Sequence, residues 1–118
     1  MTTYRTKATA QGGRAGKVTL DGSGVWFAMQ PAKEFGGSGE GSNPEQLFAL
    51  GYASCFGSAL LFVAGMQKKD ASTSKVTADV GITRSDKGFD LDVKLTVSIP
   101  GLPADEAKAL VDAAHQVC

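Results

Sequence analysis

Asn43-Pro44-Glu45-Gln46-Leu47-Phe48-Ala49-Leu50-Gly51-Tyr52-Ala53-Ser54-Cys55-Phe56-Gly57-Ser58-Ala59-Leu60-Leu61-Phe62-Val63-Ala64-Gly65-Met66 is the stretch on which the fold turns. Asn43 is a good N-cap, Pro44 suits the first helical position, and Gln46 completes a capping-box-like pattern. No residue from Leu47 to Met66 is charged, and Lys68-Lys69-Asp70 closes the run. A helix apolar on every side is either buried or membrane-spanning. About twenty uncharged residues suffice to cross a bilayer. Yet Gly51, Tyr52, Ser54, Gly57, Ser58 and Gly65 make a poor lipid-facing surface and a good one for close approach of another helix. At the usual rise per residue the helix is about 35 Å long, more than so small a domain covers easily. The expectation is a helix buried partly by a second subunit, with no membrane, and Cys55 in its buried middle.

On the N-terminal side the sequence reads as short strands and turns. Thr3 to Thr9 is rich in Thr and Tyr and alternates loosely, as a half-exposed strand would. Gly12-Gly13-Arg14-Ala15-Gly16 is a turn. Lys17–Leu20 and Val25–Met29 flank Asp21-Gly22-Ser23-Gly24 as a hairpin. Phe35 to Gly41 is glycine-rich but lacks the Gly-Lys-Ser/Thr ending of a phosphate-binding loop, so it reads as a flexible connection. On the C-terminal side, Lys75–Arg84 and Phe89–Ile99 are strands joined by Ser85-Asp86-Lys87-Gly88. The second alternates cleanly, which predicts one buried and one wet face. Pro100-Gly101-Leu102-Pro103 breaks it, and Ala104–Val117 follows as an amphipathic helix with Ala107, Leu110, Val111 and Ala114 on one stripe. The order of strands, long helix, strands and helix predicts an α+β fold.

Composition narrows the function classes. The 118 residues predict one domain over 1–118. They bury about 65% of the unfolded chain's surface, enough for a core without metal or disulfide support. Twelve basic and twelve acidic residues give zero net charge, which argues against a nucleic-acid-binding module. The start of the chain, Met1 to Lys7, carries no apolar run of the signal-peptide kind, so a cytoplasmic location is expected. Thiols are kept reduced there, and a pair of cysteines is more often catalytic than structural. Two cysteines and one histidine supply too few good ligands for a metal site.

Cys55 and Cys118 are the chemical candidates. A buried cysteine on its own behaves as a small hydrophobe, and burial raises its pKa. Nucleophilicity requires a thiolate with a cation nearby. Arg14, on its glycine-flanked turn, is a credible cation, and Glu45 could hold it by a bidentate contact. His115, the only histidine, reads as structural or solvent-facing.

The stretch from Asn43 to Phe56 closely resembles the helix of the OsmC/Ohr family of thiol peroxidases. Gly12 to Gly16, the Gly-Gly-Ser-Gly loop before the helix, and Val111-Asp112-Ala113-Ala114-His115-Gln116-Val117-Cys118 are similar to the organic hydroperoxide resistance branch. The resemblance runs in order over essentially the whole chain. It implies antiparallel sheets packed around a long central helix in an intertwined homodimer. It implies further that Cys55 attacks an organic hydroperoxide, that Cys118 resolves the resulting sulfenic acid as a disulfide, and that Arg14 and Glu45 activate Cys55. The implied reductant is an external dithiol, typically a dihydrolipoyl group on a lipoylated protein, with no metal, haem or flavin. The sister OsmC branch, with other substrates, and a non-catalytic dimeric domain with inert thiols are the alternatives. The family pattern continues past the second cysteine with a turn and a final strand that this sequence does not include. Glu45 and Cys55 stand ten residues apart, about 15 Å along a straight helix. The implied activation of Cys55 by both residues then requires either a helix that bends or starts late, or an Arg14 and Glu45 that serve the cysteine of the other subunit; the second agrees with the apolar helix that already asks for a partner.

Overall fold

The computed structural model describes residues 2–118, which divide into two compact units, Met1–Leu47 and Phe48–Cys118. In the first unit, β1 (Ala8–Gln11), β2 (Lys17–Leu20) and β3 (Trp26–Ala28) form an antiparallel sheet in that order. The register runs from Ala8 opposite Leu20 to Gln11 opposite Lys17, and from Lys17 opposite Ala28 to Thr19 opposite Trp26. The first strand therefore lies later than the Thr3–Thr9 expected from composition. Thr and Tyr favour a pleated surface, but pairing decides where a strand begins. The partner β2 ends at Leu20, and Asp21 turns away after its amide donates to the Lys7 carbonyl at 2.9 Å.

The glycine-rich loop is wound rather than slack. A short 3₁₀ turn covers Lys33–Phe35, and the amides of Gly37 and Gly39 donate to the carbonyls of Ala32 and Pro31 at 3.1 and 3.2 Å. The expected flexible connection is thus an ordered lead into the long helix, α1 (Pro44–Met66). Its start is the reciprocal capping box anticipated from sequence. The Gln46 amide donates to Asn43 Oδ1 at 2.8 Å, and the Asn43 amide donates to Gln46 Oε1 at 3.1 Å.

The second unit carries most of α1, the hairpin β4 (Lys75–Ser85) and β5 (Gly88–Ser98), and α2 (Ala104–Val117). The hairpin pairs without interruption from Lys75 opposite Ser98 to Ser85 opposite Gly88. One core joins these elements: Phe56, Ala59, Leu60, Val63 and Ala64 of α1, Ala71, Ile99, and Leu110 and Ala114 of α2. Ala107 and Val111 pack beside them, so the expected stripe of α2 is the buried one. The alternation of β5 is only partly used: Leu95 and Val97 pack on the core, whereas Phe89, Leu91 and Val93 are exposed.

α1 is long and apolar enough to cross a membrane by length and composition. In this chain it buries one face and leaves the other open. Phe56, Leu60, Val63 and Ala64 face the core, while Leu50, Leu61, Phe62 and Met66 are half or more exposed at 50–71%. Cys55 falls on the open face with Ser54 and Ser58. This corrects the expectation of a cysteine buried in mid-helix. The whole stretch is apolar, so hydropathy could not say which side of it meets the core of its own chain; the 3.6-residue repeat of packing does.

Candidate active site

The first pair of candidate residues is built by backbone. The turn after β1 is a 3₁₀ segment, Gly13–Ala15, entered through Gly12 at φ +80° and closed by the amides of Ala15 and Gly16 on the carbonyls of Gly12 and Gly13. Gly16 has no room for a side chain: a Cβ there would run into the Gln11 carbonyl. Its own carbonyl accepts from the Met29 amide at 2.8 Å. One residue either side of Met29, the Ala28 carbonyl accepts from the Ser42 amide, and the Gln30 amide donates to the Ser42 carbonyl, both at 2.9 Å. Ser42 precedes the cap of α1. A continuous run of backbone hydrogen bonds therefore fixes the turn bearing Arg14 against the helical turn bearing Glu45.

Across that frame the guanidinium donates twice to one carboxylate, Nη1 to Oε2 at 3.1 Å and Nη2 to Oε1 at 2.8 Å. This is the bidentate contact expected from sequence. The Glu45 side chain is 14% exposed and the Arg14 side chain 44%. The hydrogen bond from Arg14 holds the Glu45 carboxyl below its usual range, although partial burial works against this. The same bond raises Arg14 above its already high value. Both therefore stay charged near neutrality, and Glu45 also sits in the first turn of α1, where the helix dipole favours a carboxylate. The guanidinium still has three N–H groups beyond the two given to Glu45. Ala10, Val18, Met29, Pro44 and Leu47 line a cavity of about 380 Å³ beside it. A cation held at the wall of an apolar cavity suits a ligand that is oily at one end and anionic or strongly polar at the other.

The second pair lies in the second unit. Cys55 Sγ on α1 and Cys118 Sγ at the end of α2 are 3.5 Å apart, both thiols free. The Cys118 amide donates to the Ala114 carbonyl at 3.1 Å, so the last residue is held by the helix rather than frayed. Partial desolvation of its sulfur, then the hydrogen bond and charge of Cys55, push the Cys118 thiol above its ordinary value. Cys118 consequently holds its proton at neutral pH while the pair is reduced. A disulfide requires sulfurs about 2.0 Å apart, so bond formation needs only a small closing movement.

The four residues singled out by sequence are thus joined as Arg14 with Glu45 and Cys55 with Cys118. His115 is exposed, and its ring rests against that of Phe56 in a tilted edge contact, with centroids 4.8 Å apart. Among the described residues no group of three or more His, Cys, Asp or Glu side chains is placed to hold a metal ion. Two features of the site went unread in the sequence. The close approach at Gly16 carried only a weak signal, a glycine two residues after the arginine. The Phe56–His115 contact gave none.

A thiol pair on facing helices and an ion pair between the arginine of the β1–β2 turn and a glutamate in the first turn of α1, with two sheets and a long helix, define a class. The chain belongs to the OsmC family: it matches the family described as OsmC-like protein over residues 37–118. Several of its relatives within that family are organic hydroperoxide resistance proteins. It is 43% identical to organic hydroperoxide resistance protein OhrB of Bacillus subtilis, over 100% of this chain and 88% of that protein. The fold matches the crystal structure of an organic hydroperoxide resistance protein from Legionella pneumophila at TM-score 0.95 and 43% identity, covering 100% of this chain and 87% of the other. It matches a Vibrio cholerae homologue, solved with captopril in one of its active sites, at TM-score 0.94 and 45% identity, covering 100% and 82%.

Proposed function

We propose that this chain is a cysteine-based organic hydroperoxide reductase that works as a homodimer in the cytoplasm. The observation that carries the reading is the 3.5 Å separation of two free thiols on α1 and α2, 63 residues apart in sequence. The names of the relatives supply the substrate class.

The Cys55 thiolate attacks one oxygen of the peroxide bond. The O–O bond breaks, the other oxygen leaves as an alkoxide and takes a proton to become the alcohol, and Cys55 becomes a sulfenic acid. The Cys118 sulfur then attacks Cys55 Sγ and gives up its proton, the hydroxyl leaves as water, and a disulfide closes. A dithiol, for which a dihydrolipoyl group is the expected example, restores both thiols by exchange and leaves as its own disulfide. The elevated Cys118 pKa suits this order, since the resolving thiol stays protonated until the sulfenic acid presents itself. The chain needs no metal or organic cofactor for these steps.

Arg14, held in place by Glu45, supplies the positive charge that favours a thiolate and the leaving alkoxide. The apolar cavity beside it takes the organic part of the substrate, which favours organic hydroperoxides over hydrogen peroxide. α1 is unbroken from Pro44 to Met66 and exposes Leu50, Leu61, Phe62 and Met66. A second copy covers that face, and the Arg14–Glu45 pair of one copy serves Cys55 of the other.

The reading is tested with one equivalent of tert-butyl hydroperoxide on the reduced protein. Mass spectrometry should show the loss of two hydrogens and a Cys55–Cys118 cross-link within one chain. In Cys118→Ser, Cys55 should oxidise once and persist as a trappable sulfenic acid, advancing to sulfinic acid with excess peroxide. In Cys55→Ser nothing should be oxidised. A wild-type Cys55 inert to peroxide would sink the proposal and leave a dimeric domain with silent thiols.

A further inference from the structure

The resolving cysteine closes the final turn of α2, where its amide donates to the Ala114 carbonyl at 3.1 Å. Ala114 is fully buried and anchors the turn from within. Beyond it Gln116 and Val117 are exposed. Besides the packing of Ala114 in the core and of Ala113 against it, two side-chain contacts among the described residues join this turn to α1: the sulfur of Cys118 on Cys55 and the ring of His115 on Phe56.

The two contacts are arranged in parallel. Phe56 follows Cys55 directly on α1, and His115 precedes Cys118 by three residues, one helical turn, on α2. Phe56 has no exposed surface and is among the largest fully buried side chains, so it cannot shift without disturbing the core. Its ring is a fixed stop next to the attacking sulfur. The ring centroids are 4.8 Å apart with planes at 62°, within the preferred edge-to-face range for aromatic pairs. His115 is otherwise an exposed residue, without a side-chain hydrogen bond or ion pair among the described residues. Its ring is therefore available to act as a strut between the helices.

We infer that His115 is a positioning residue, which by resting on Phe56 holds the last turn of α2 so that Cys118 stays within reach of Cys55. The inference rests on the reading of the two cysteines as a redox pair. It assigns His115 no proton transfer and no contact with the peroxide.

The test is the equilibrium of the dithiol protein with oxidised and reduced glutathione. Oxidised glutathione takes up two electrons and two protons from Cys55 and Cys118 and leaves as two thiols, while the protein closes its disulfide. No peroxide enters, so the inference can fail while peroxide turnover stands, and can stand while turnover fails. His115→Ala should lower the equilibrium constant for closure about threefold to tenfold, the range an aromatic edge contact commands. His115→Phe, which keeps the ring and loses the imidazole nitrogens, should return it to within about twofold of wild type. A general weakening of the fold would not be rescued in this way. Circular dichroism verifies that each variant is helical, and His115→Leu replaces His115→Ala should the latter unfold. An unchanged constant in the ringless variant, or a His115→Phe constant as low as that of the ringless variant, would overturn the inference.

Discussion

The two residue pairs of the candidate site are held together by opposite kinds of force. Arg14 and Glu45 meet through two charge-assisted hydrogen bonds, on a frame of backbone hydrogen bonds and a capping box. Nothing in that arrangement has to change for it to act. Cys55 and Cys118 meet through a 3.5 Å thiol contact between side chains on the exposed surface of two helices. That contact is weak, and the proposed reaction requires it to become a covalent bond and then open again. The difference divides the labour: a preorganised electrostatic element that does not reorganise during reaction, and an adjustable element whose geometry moves with its redox state. Backbone supports the first, and side-chain packing the second.

The largest expected effect comes from removing the fixed element. Arg14→Ala should slow the oxidation of Cys55 by peroxide by about 10²-fold or more, on the scale of losing one preorganised donor at a developing charge. Stability should change little, because Arg14 is half-exposed and its turn carries little core packing. Stopped-flow measurement of sulfenate formation reads this directly. An unchanged rate would remove Arg14 from the chemistry. Mixing the Arg14→Ala and Cys55→Ser proteins after dissociation then tests the sharing of sites. In a two-fold symmetric dimer, random pairing should restore roughly a quarter of the wild-type sites if arginine and cysteine come from different copies. No recovery should follow if they come from the same copy.

A smaller effect separates the supports of the two pairs. Asn43→Ala removes half of the capping box and should cost about 1 kcal/mol, a fall of about 3–6 °C in the melting temperature of a chain this size. Sulfenate formation should slow as the Glu45 turn loosens. The glutathione equilibrium of Cys55 and Cys118 should stay at its wild-type value, since neither thiol touches the cap. A parallel shift in both measurements would show that the two elements are mechanically one.

Much of this is legible in the sequence alone. The capping residues fixed the start of α1, the proline–glycine break fixed the start of α2, and hairpin patterning placed β4 and β5 to within a residue. These signals are local, so a single sequence carries them. What escaped depended on contacts between distant residues. The position of β1 depends on where β2 runs out of partners, not on the β-propensity of Thr3 to Thr9. The exposure of Cys55 depends on which side of a uniformly apolar helix meets α2 and the hairpin. The Arg14–Glu45 contact was anticipated from residue chemistry, but not the close approach at Gly16 and the bonds through Met29 and Ser42 that align the pair. Resemblance supplied the roles of the cysteines, and the geometry supplied their proximity.

The smallest expected effect concerns the pH dependence of the fixed element. Arg14 lowers the carboxyl of Glu45 in the folded chain below its ordinary value near 4.5. In the unfolded chain no such partner exists. Over the interval between the two values the unfolded state binds more protons, so stability must rise with pH there. The ion pair's contribution is accordingly present in full above the ordinary carboxyl range and is lost as the pH falls through the lower, folded value. Glu45→Gln keeps the side-chain shape and one acceptor but cannot ionise, and so isolates this contribution. The difference in melting temperature between wild type and Glu45→Gln should be constant from neutral pH down to about 5 and should shrink towards zero in stronger acid. The half-exposed arginine limits its size: solvent screening leaves such pairs about 0.2–1 kcal/mol, or about 1–5 °C here. Added salt should reduce it further. The Cys55–Cys118 pair has no carboxylate in its contact, so Cys118→Ser should show no such acid-dependent difference from wild type. A Glu45→Gln difference that grew on acidification would mean that Glu45 is protonated more readily when folded, and the carboxylate would then not be the group that anchors Arg14.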